Sequence, residues 1–212
     1  MKKAMLALAI ASAMTTAQAG VLISEGFDNV GDLAGKGWVL NNASTPGGDT
    51  PGWFQGDQSQ FGAKSGAPES YIAANYGNAA VGGILNNWLI TPEFSTQFGA
   101  TVSFWLRGAA DTNPDFFDQI AFGFSNGSSA LTDFILDPVF TVPTGEWTKY
   151  TARIGASDGT ARFAIQYTGA ADFANYVGVD NFFIAEVPEP SSVLILAAGV
   201  MGLAAARRRK RA

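Results

Sequence analysis

Cysteine and histidine are both missing from this chain of 212 residues. Their absence excludes Ser-His-Asp and Cys-His catalytic arrangements, and it excludes zinc sites built from imidazole or thiolate ligands. Because no disulfide can form, an exported domain of this composition must be stabilised by its hydrophobic core, with or without help from a metal ion. The side chains left for chemistry are carboxylates, hydroxyls, amides and a few lysines and arginines.

Basic residues are scarce between the two ends of the chain. All 18 acidic residues lie from Glu25 to Glu189, together with six of the 13 basic residues, so this segment has a formal net charge of −12. Such a surface repels phosphate backbones, and we therefore predict no binding to nucleic acid. The acidic balance suits cation binding or solubility alone. The six basic residues are Lys36, Lys64, Arg107, Lys149, Arg153 and Arg162.

The N-terminus is typical of a secretory signal peptide over residues 1–19. Lys2 and Lys3 precede an apolar stretch, which ends at a small-residue site that signal peptidase is expected to cleave. A short buried helix is the alternative interpretation, but the order of the three features favours a signal peptide. The predicted cleavage site consists of Ala17, Ala19 and Gly20.

The C-terminus combines a Pro-Glu-Pro triplet, an apolar run over residues 191–206 and a basic block. As a helix the run spans about 24 Å, slightly less than the ~30 Å hydrocarbon core of a bilayer, so a buried helix is the alternative. Gly199 and Gly202, the lack of a polar face and the basic block favour membrane insertion, at least transiently. The basic block resists translocation and predicts a stop-transfer signal. The triplet is Pro188, Glu189 and Pro190, and the block is Arg207, Arg208, Arg209, Lys210 and Arg211.

This C-terminal order, over residues 187–212, closely resembles the PEP-CTERM sorting signal. The resemblance implies processing by an exosortase in a Gram-negative bacterium. Together with the signal peptide, it predicts export through the inner membrane, transient anchoring by the C-terminal helix, and delivery to the cell surface or the extracellular space.

The segment 20–186 is predicted to be a single all-β domain, a jelly-roll β-sandwich flanked by the signal peptide and one C-terminal hydrophobic helix. Residues 101–107 alternate, with Val102, Phe104 and Leu106 on one face, which is typical of a half-buried antiparallel strand. Trp38, Trp53, Trp88 and Trp105 are interpreted as core residues. Other strands are predicted at 21–27, 70–75, 88–91, 119–125, 146–154, 161–168 and 176–185.

A series of short motifs in this segment resembles the choice-of-anchor J domain, which is similar to the cleaved-adhesin domains of bacterial surface proteins. The resemblance covers nearly all of residues 20–186 and implies a jelly-roll sandwich without catalysis. Its motifs are EGFD at 25–28, GW at 37–38, WF at 53–54, AKSG at 63–66, NNWLITP at 86–92, VSFW at 102–105 and VDNFFI at 179–184.

The same resemblance implies calcium binding. Calcium takes six to eight oxygen ligands, and the first and last strands of a jelly roll commonly lie close together. We therefore expect the two chain ends to gather acidic oxygens, with Asp57 as a further ligand. The alternative is that backbone amides satisfy Glu25 and Asp180, while Asp28 only forms a turn. The predicted ligands are Glu25, Asp28, Asp180 and Asn181.

Two classes of function fit these patterns. The first is an exported, non-catalytic adhesive or binding protein that associates with exopolysaccharide or cell-surface glycans, and that contains no catalytic residues. The second is a glycosidase or lyase on a jelly-roll scaffold, for which two carboxylates at suitable separation are needed. The pairs available are Asp115 with Asp118 and Asp133 with Asp137.

Overall fold

The computed structural model describes residues 19–187. Within them, Val21–Glu186 forms one compact unit built from strands and short 3₁₀ turns. Residues 1–18 of the predicted signal peptide and the predicted sorting signal from Pro188 onward lie outside the described residues. The strands are β1 Val21–Glu25, β2 Val39–Asn42, β3 Thr45–Gly47, β4 Phe54–Gln55, β5 Ile72–Asn75, β6 Ala79–Ile90, β7 Phe94–Ser95, β8 Ala100–Gly108, β9 Gln119–Ser125, β10 Ile135–Leu136, β11 Phe140–Thr141, β12 Thr148–Ile154, β13 Thr160–Ala170 and β14 Tyr176–Glu186.

These strands form two antiparallel sheets. The six-stranded sheet has the order β12-β8-β14-β5-β4, and β1 pairs with the second half of β14. The eight-stranded sheet has the order β10-β9-β13-β6-β2, with β11, β3 and β7 added at its margins. The predicted all-β sandwich is confirmed. The first and last strands are neighbours in the six-stranded sheet, with Glu25 opposite Phe182.

The core lies between the sheets and follows from side-chain alternation. In β8, Val102, Phe104 and Leu106 are fully buried, while the residues between them point to the outer face of the sheet. Phe104 meets Phe122 and Phe163 of the opposite sheet at centroid distances of 5.3 and 5.6 Å. Period-two alternation in a sheet with one buried face produces this arrangement.

Two predictions about strands and aromatic residues need correction. β6 begins at Ala79 rather than Trp88, because a segment containing Gly82 and Gly83 carries too little apolar alternation to predict a strand. Trp38, Trp53 and Trp88 are buried as predicted, but Trp105 is half-buried on the outer face of its sheet. Within residues 19–187 there is no helix long and apolar enough to span a membrane.

Candidate functional site

An open groove of about 660 Å³ lies at one end of the sandwich, where several connections meet. We call it the end groove. This volume lies in the range of small-ligand sites, about 300–1,000 Å³. Its wall combines exposed apolar side chains with carboxylates and an amide. The lining residues used below are Asp49, Tyr76, Val81, Asp111, Phe116, Asp172 and Asn175.

Tyr76 stands at the start of a 3₁₀ turn, Tyr76–Asn78, between β5 and β6. Its side chain is 57% exposed, whereas the turn beneath it is held firmly. The Asn75 side chain accepts from the Gly77 amide at 3.0 Å, and the Asn78 side chain accepts from the Asn75 amide at 3.2 Å. This reciprocal cap fixes the turn, so Tyr76 is presented on a rigid support.

Asn78 ties this turn to two neighbouring segments. It is fully buried, and its Nδ2 donates to the carbonyls of Thr50 and Gly52 at 3.2 and 3.0 Å. The Asn87 side chain donates to Asn78 Oδ1 at 3.0 Å. Both polar atoms of the Asn78 side chain are hydrogen-bonded, whereas Asn87 Oδ1 is buried without a partner within residues 19–187. The bonds of Asn78 hold the Tyr76 turn against the chain at Thr50 and Gly52, which pre-organises this wall of the groove.

Gly48 allows a very close approach at this wall. A Cβ at Gly48 would lie 2.1 Å from the carbonyl oxygen of Gly77, a contact that no side chain tolerates. The backbone of 47–49 therefore lies directly against the Tyr76 turn, and it brings Asp49 to the groove.

Asp111, Asp172 and Asn175 supply polar groups to the groove. Asp172 accepts from the Gly82 amide at 2.8 Å, and Asn175 donates to Asp111 at 3.4 Å. Asp111 and Asp172 are exposed, and a carboxylate oxygen can accept more than one hydrogen bond, so they offer acceptors beside exposed Phe116 and Val81. Such a pairing of ring faces with a few fixed polar groups suits a sugar, whose faces are apolar and whose edges carry hydroxyls.

Asp118 supports the groove from behind. It is 1% exposed, and its Oδ1 accepts from the Tyr167 hydroxyl at 2.6 Å and from the Asn175 amide at 3.0 Å. Burial raises the pKa of its carboxyl group above the usual range, although these hydrogen bonds oppose the shift. Asp118 thus orients Asn175 rather than facing a substrate.

The predicted calcium ligands lie at the junction of β1, β14 and the loop 62–66. Asp180 is fully buried, and its carboxylate accepts from the backbone amides of Lys64, Ser65 and Asn181 at 2.7, 3.1 and 2.5 Å. Burial, with a smaller contribution from the nearby Asp28 charge, raises the pKa of Asp180 to about 6. Asn181 accepts from the Ser65 hydroxyl at 2.7 Å.

Glu25 is already neutralised in this junction. One carboxylate oxygen accepts from the Phe27 amide at 2.9 Å, and the other lies 2.8 Å from the Lys36 ammonium group. Within residues 19–187, no group of three or more acidic side chains is close enough to hold a metal ion. Of the four predicted calcium ligands, Asp180 and Asn181 already accept hydrogen bonds from the loop 62–66, while Asp28 is exposed.

The remaining predicted residues lie apart. The side chain of Ser59 and its backbone amide, which donates to Asp57 at 2.8 Å, lower the pKa of the Asp57 carboxyl group. Asp115 is exposed while Asp118 is buried, so these two do not face one substrate. Asp133 and Asp137 both line a second, shallower hollow with Arg153. Ala19 and Gly20 precede β1, whereas Ala17, the Pro-Glu-Pro triplet and the basic block lie outside the described residues.

The end groove was not found from the sequence. Its aromatic and acidic residues come from loops separated by up to about 130 positions, and no spacing connects them. The local pattern Asn75-Tyr76-Gly77-Asn78 indicates a turn by itself, but only the fold shows that Tyr76 lines the same groove as Asp111 and Asp172.

Comparison with known proteins gives two findings. The PEP-CTERM protein-sorting motif matches residues 186–210. The K1 cleaved adhesin domain of Lys-gingipain from Porphyromonas gingivalis W83 superposes with a TM-score of 0.62 at 20% identity, covering 79% of this chain and 99% of that domain. The K3 domain gives 0.58 at 19% identity, with the same coverage.

A search of curated proteins found no match to this chain. The K2 domain of Lys-gingipain resembles it with a TM-score of 0.56 at 18% identity, covering 78% of this chain and 99% of that domain. At these identities the likeness establishes the fold. The chain therefore carries a PEP-CTERM sorting motif behind a β-sandwich with the fold of the cleaved adhesin domains.

Proposed function

We propose that the chain is an exported binding protein, cleaved by signal peptidase and sorted by an exosortase to the cell surface or the extracellular matrix. The PEP-CTERM match over residues 186–210 supports this route. Two further predicted features complete this export route. One is the signal peptide, cleaved before Gly20, and the other is the membrane-inserting run 191–206 with its stop-transfer block. After processing, the sandwich of strands β1–β14 lies outside the cytoplasm of a Gram-negative bacterium.

The delivered domain binds glycans, including exopolysaccharide, in the end groove without cleaving them. The observation that carries this proposal is the rigid Tyr76 turn, which places a 57% exposed aromatic ring in the same groove as Asp111, Asp172 and Asn175. A pyranose ring stacks its apolar face on Tyr76, while its hydroxyls donate to the carboxylates that line the groove. Because both walls are fixed before binding, little ordering entropy is lost.

The electrostatics of the groove indicate which glycans fit. Asp49, Asp111 and Asp172 line it, and no lysine or arginine is among its lining residues. Carboxylates accept hydrogen bonds but repel other anions, so this site takes neutral or amino-bearing sugars rather than uronates.

A glycan array with the purified full-length protein tests this site. We expect binding to neutral or amino-bearing glycans, and we expect Tyr76→Ala to weaken it by roughly tenfold, within the 1–3 kcal/mol range of one aromatic stacking contact. Tyr76→Phe is the matched control, because it keeps the ring and should retain most of the affinity. Equal binding by the wild type and Tyr76→Ala would show that the groove is not the site.

A calcium ion at the β1–β14 junction remains a proposal, supported by the approach of Asp28, Asp180 and Asn181 to the loop 62–66. Calcium there would neutralise the buried Asp180 charge and tie both chain ends together. Glu25 becomes available as a ligand only if Lys36 moves away, because the two side chains are paired.

A carbohydrate-active enzyme is the second candidate. The observation that favours it is that Asp133 and Asp137 line one hollow together with Arg153. Incubation of the full-length protein with the glycans bound on the array, followed by detection of new reducing ends, separates the two functions. New reducing ends that disappear in Asp133→Asn and Asp137→Asn would establish enzymatic cleavage. If the wild type produces no new reducing ends, binding without cleavage is the function.

A further inference from the structure

Most basic residues of the sandwich gather on one surface, the outer face of the six-stranded sheet. β8 and β12 are paired so that Trp105 lies opposite Lys149 and Thr101 lies opposite Arg153. The alternation that buries Phe104 and Leu106 points Trp105 and Arg107 outward. We call this surface the basic face, and its residues are Lys64, Trp105, Arg107, Trp147, Lys149 and Arg153.

Two cation–aromatic contacts organise the basic face. The Lys64 ammonium nitrogen lies 4.4 Å from the centroid of the Trp105 ring, and the Arg107 guanidinium carbon lies 4.6 Å from the centroid of the Phe61 ring. Trp147 packs edge-on against Phe61 and donates from Nε1 to the Gly62 carbonyl at 3.0 Å. Rings and charges are therefore held side by side rather than scattered.

The buried Asp180 carboxylate fixes Lys64 in this place. It accepts from the Lys64 backbone amide at 2.7 Å and from the Ser65 amide at 3.1 Å, which pins the loop 62–66 onto the sheet. The Asp180 side chain is fully buried, so it anchors the loop from below.

The charges of the basic face have no anionic partner within the described residues. The ion pairs within these residues lie outside the basic face and involve the other two basic residues. Lys36 pairs with Glu25, and Arg162 pairs with Glu93. The Arg107 Nε is buried without a hydrogen-bond partner in the same range. In a segment with 18 acidic and six basic residues, four unpaired cations on one surface point to a ligand that supplies the missing anions.

We propose that the basic face binds a linear acidic polysaccharide of the uronate type. Its carboxylates lie against Lys64, Arg107 and Lys149, and its hydroxyls meet Ser103 and Thr151 between the two strands. Its sugar rings pack beside the Trp105 side chain, whose ring face is covered by the Lys64 ammonium group. No residue of the basic face lines the end groove, so the molecule carries two binding surfaces of opposite charge.

Binding of the full-length protein to polygalacturonate, measured by biolayer interferometry, tests this proposal. Fully methyl-esterified polygalacturonate is the matched ligand, because it has the same backbone without charge. We expect binding only to the charged polymer, with affinity falling as salt rises from 50 to 300 mM. Lys64→Gln and Lys149→Gln should each weaken binding about fivefold, the loss typical of one basic residue at an anionic surface.

Lys36→Gln is the charge-matched control, since it removes one cation outside the basic face and should leave the affinity unchanged. Trp105→Ala should weaken binding while keeping its salt dependence. Lys64 and Lys149 are exposed, so their variants are expected to fold, which melting curves will verify. Equal binding to both polymers, or no effect of the two lysine variants, would overturn the proposal.

Two further outcomes would also overturn it. Sedimentation that shows a self-association lost in Lys149→Gln, without polymer binding, would make the face a contact between copies. Binding to anionic vesicles with no binding to polygalacturonate would make it a membrane surface. Neutral-glycan binding through Tyr76 is measured separately, so either surface can fail without the other.

Discussion

Asp118 shows how a single buried carboxyl group serves this sandwich. Its Oδ1 accepts hydrogen bonds from the Tyr167 hydroxyl and the Asn175 backbone amide. Its Oδ2 is buried without a hydrogen-bond partner among residues 19–187. Burial raises the pKa of Asp118, and the buried acidic partner in turn adds to the large upward shift in the pKa of Tyr167. The side chain thereby links β13 to the wall of the end groove.

The raised pKa of Asp118 makes stability depend on pH in a defined direction. The folded carboxyl group binds its proton more tightly than the unfolded one, so the stabilisation from protonation is complete below about pH 3.8 and is lost as the pH rises through the folded pKa. We expect the free energy of unfolding of the wild type, relative to Asp118→Asn, to decrease as the pH rises from 4 to 7. The change should be about 1.4 kcal/mol for each unit by which the folded pKa exceeds the unfolded one.

Urea unfolding at several pH values measures this difference. Tyr167→Phe is an informative companion, because it removes a hydrogen bond to the ionised carboxylate and should move the transition to higher pH. A difference between the wild type and Asp118→Asn that is constant from pH 4 to 7 would contradict the raised pKa.

At the scale of elements, the β1–β14 ladder decides where the predicted calcium ligands lie. Glu25 is opposite Phe182, so Asp180 and Asn181 come close to the chain that leaves β1. The main-chain pairing of β14 with β8 is irregular between Asp180 and Phe183, and Asn181 adopts a positive φ of 49°. A bulge of this kind turns a side chain away from its regular direction.

We expect millimolar calcium to raise the melting temperature of the full-length protein and a chelator to lower it. At a calcium concentration 100 times the dissociation constant the stabilisation is about 2.7 kcal/mol, and each kcal/mol corresponds to about 2–4 °C for a chain of this length. Asp28→Asn, at an exposed ligand position, should abolish the calcium response with little effect in its absence.

Asp158→Asn, in the loop between β12 and β13, is the control that should keep the calcium response. A melting curve that calcium leaves unchanged, with Glu25→Ala and Asp180→Ala equally indifferent to it, would remove the metal from this junction.

The elements also show how far sequence patterns reach. β8, β9 and β13 alternate clearly and were predicted nearly to their ends, because one buried face imposes a period of two. β6 was predicted only from Trp88 onward, because Gly82 and Gly83 interrupt the alternation of apolar and polar residues in its first half. β3 and β4 are too short for any period to appear, and their pairing with β6 and β5 depends on the assembled sheets.

At the scale of the whole molecule, sorting and folding are predicted to be separable. The last strand ends at Glu186, and within residues 19–187 the core is built from side chains that lie between β1 and the end of β14. Deleting residues 188–212 should therefore leave the melting temperature unchanged while preventing delivery to the normal envelope fraction. Cell fractionation with immunodetection measures the location, and circular dichroism measures the fold.

A milder variant separates recognition from membrane insertion. Replacing Pro188, Glu189 and Pro190 by alanine keeps the apolar run and the basic block, so the protein should accumulate unprocessed in the membrane. If the truncated chain reached the same location as the full chain, the sorting role of this segment would be refuted.

The sequence by itself determined the sorting motif and the all-β class, and it predicts the signal peptide. These features depend on local order and on a period of two, both of which are visible along the chain. Only the tertiary structure decided that Tyr76 lines one groove with Asp111 and Asp172, and that Lys36 pairs with Glu25. It also decided that four cations with no ion pair among residues 19–187 share one face of a strongly acidic domain. Each of these depends on strand order and register, which bring together residues far apart in sequence.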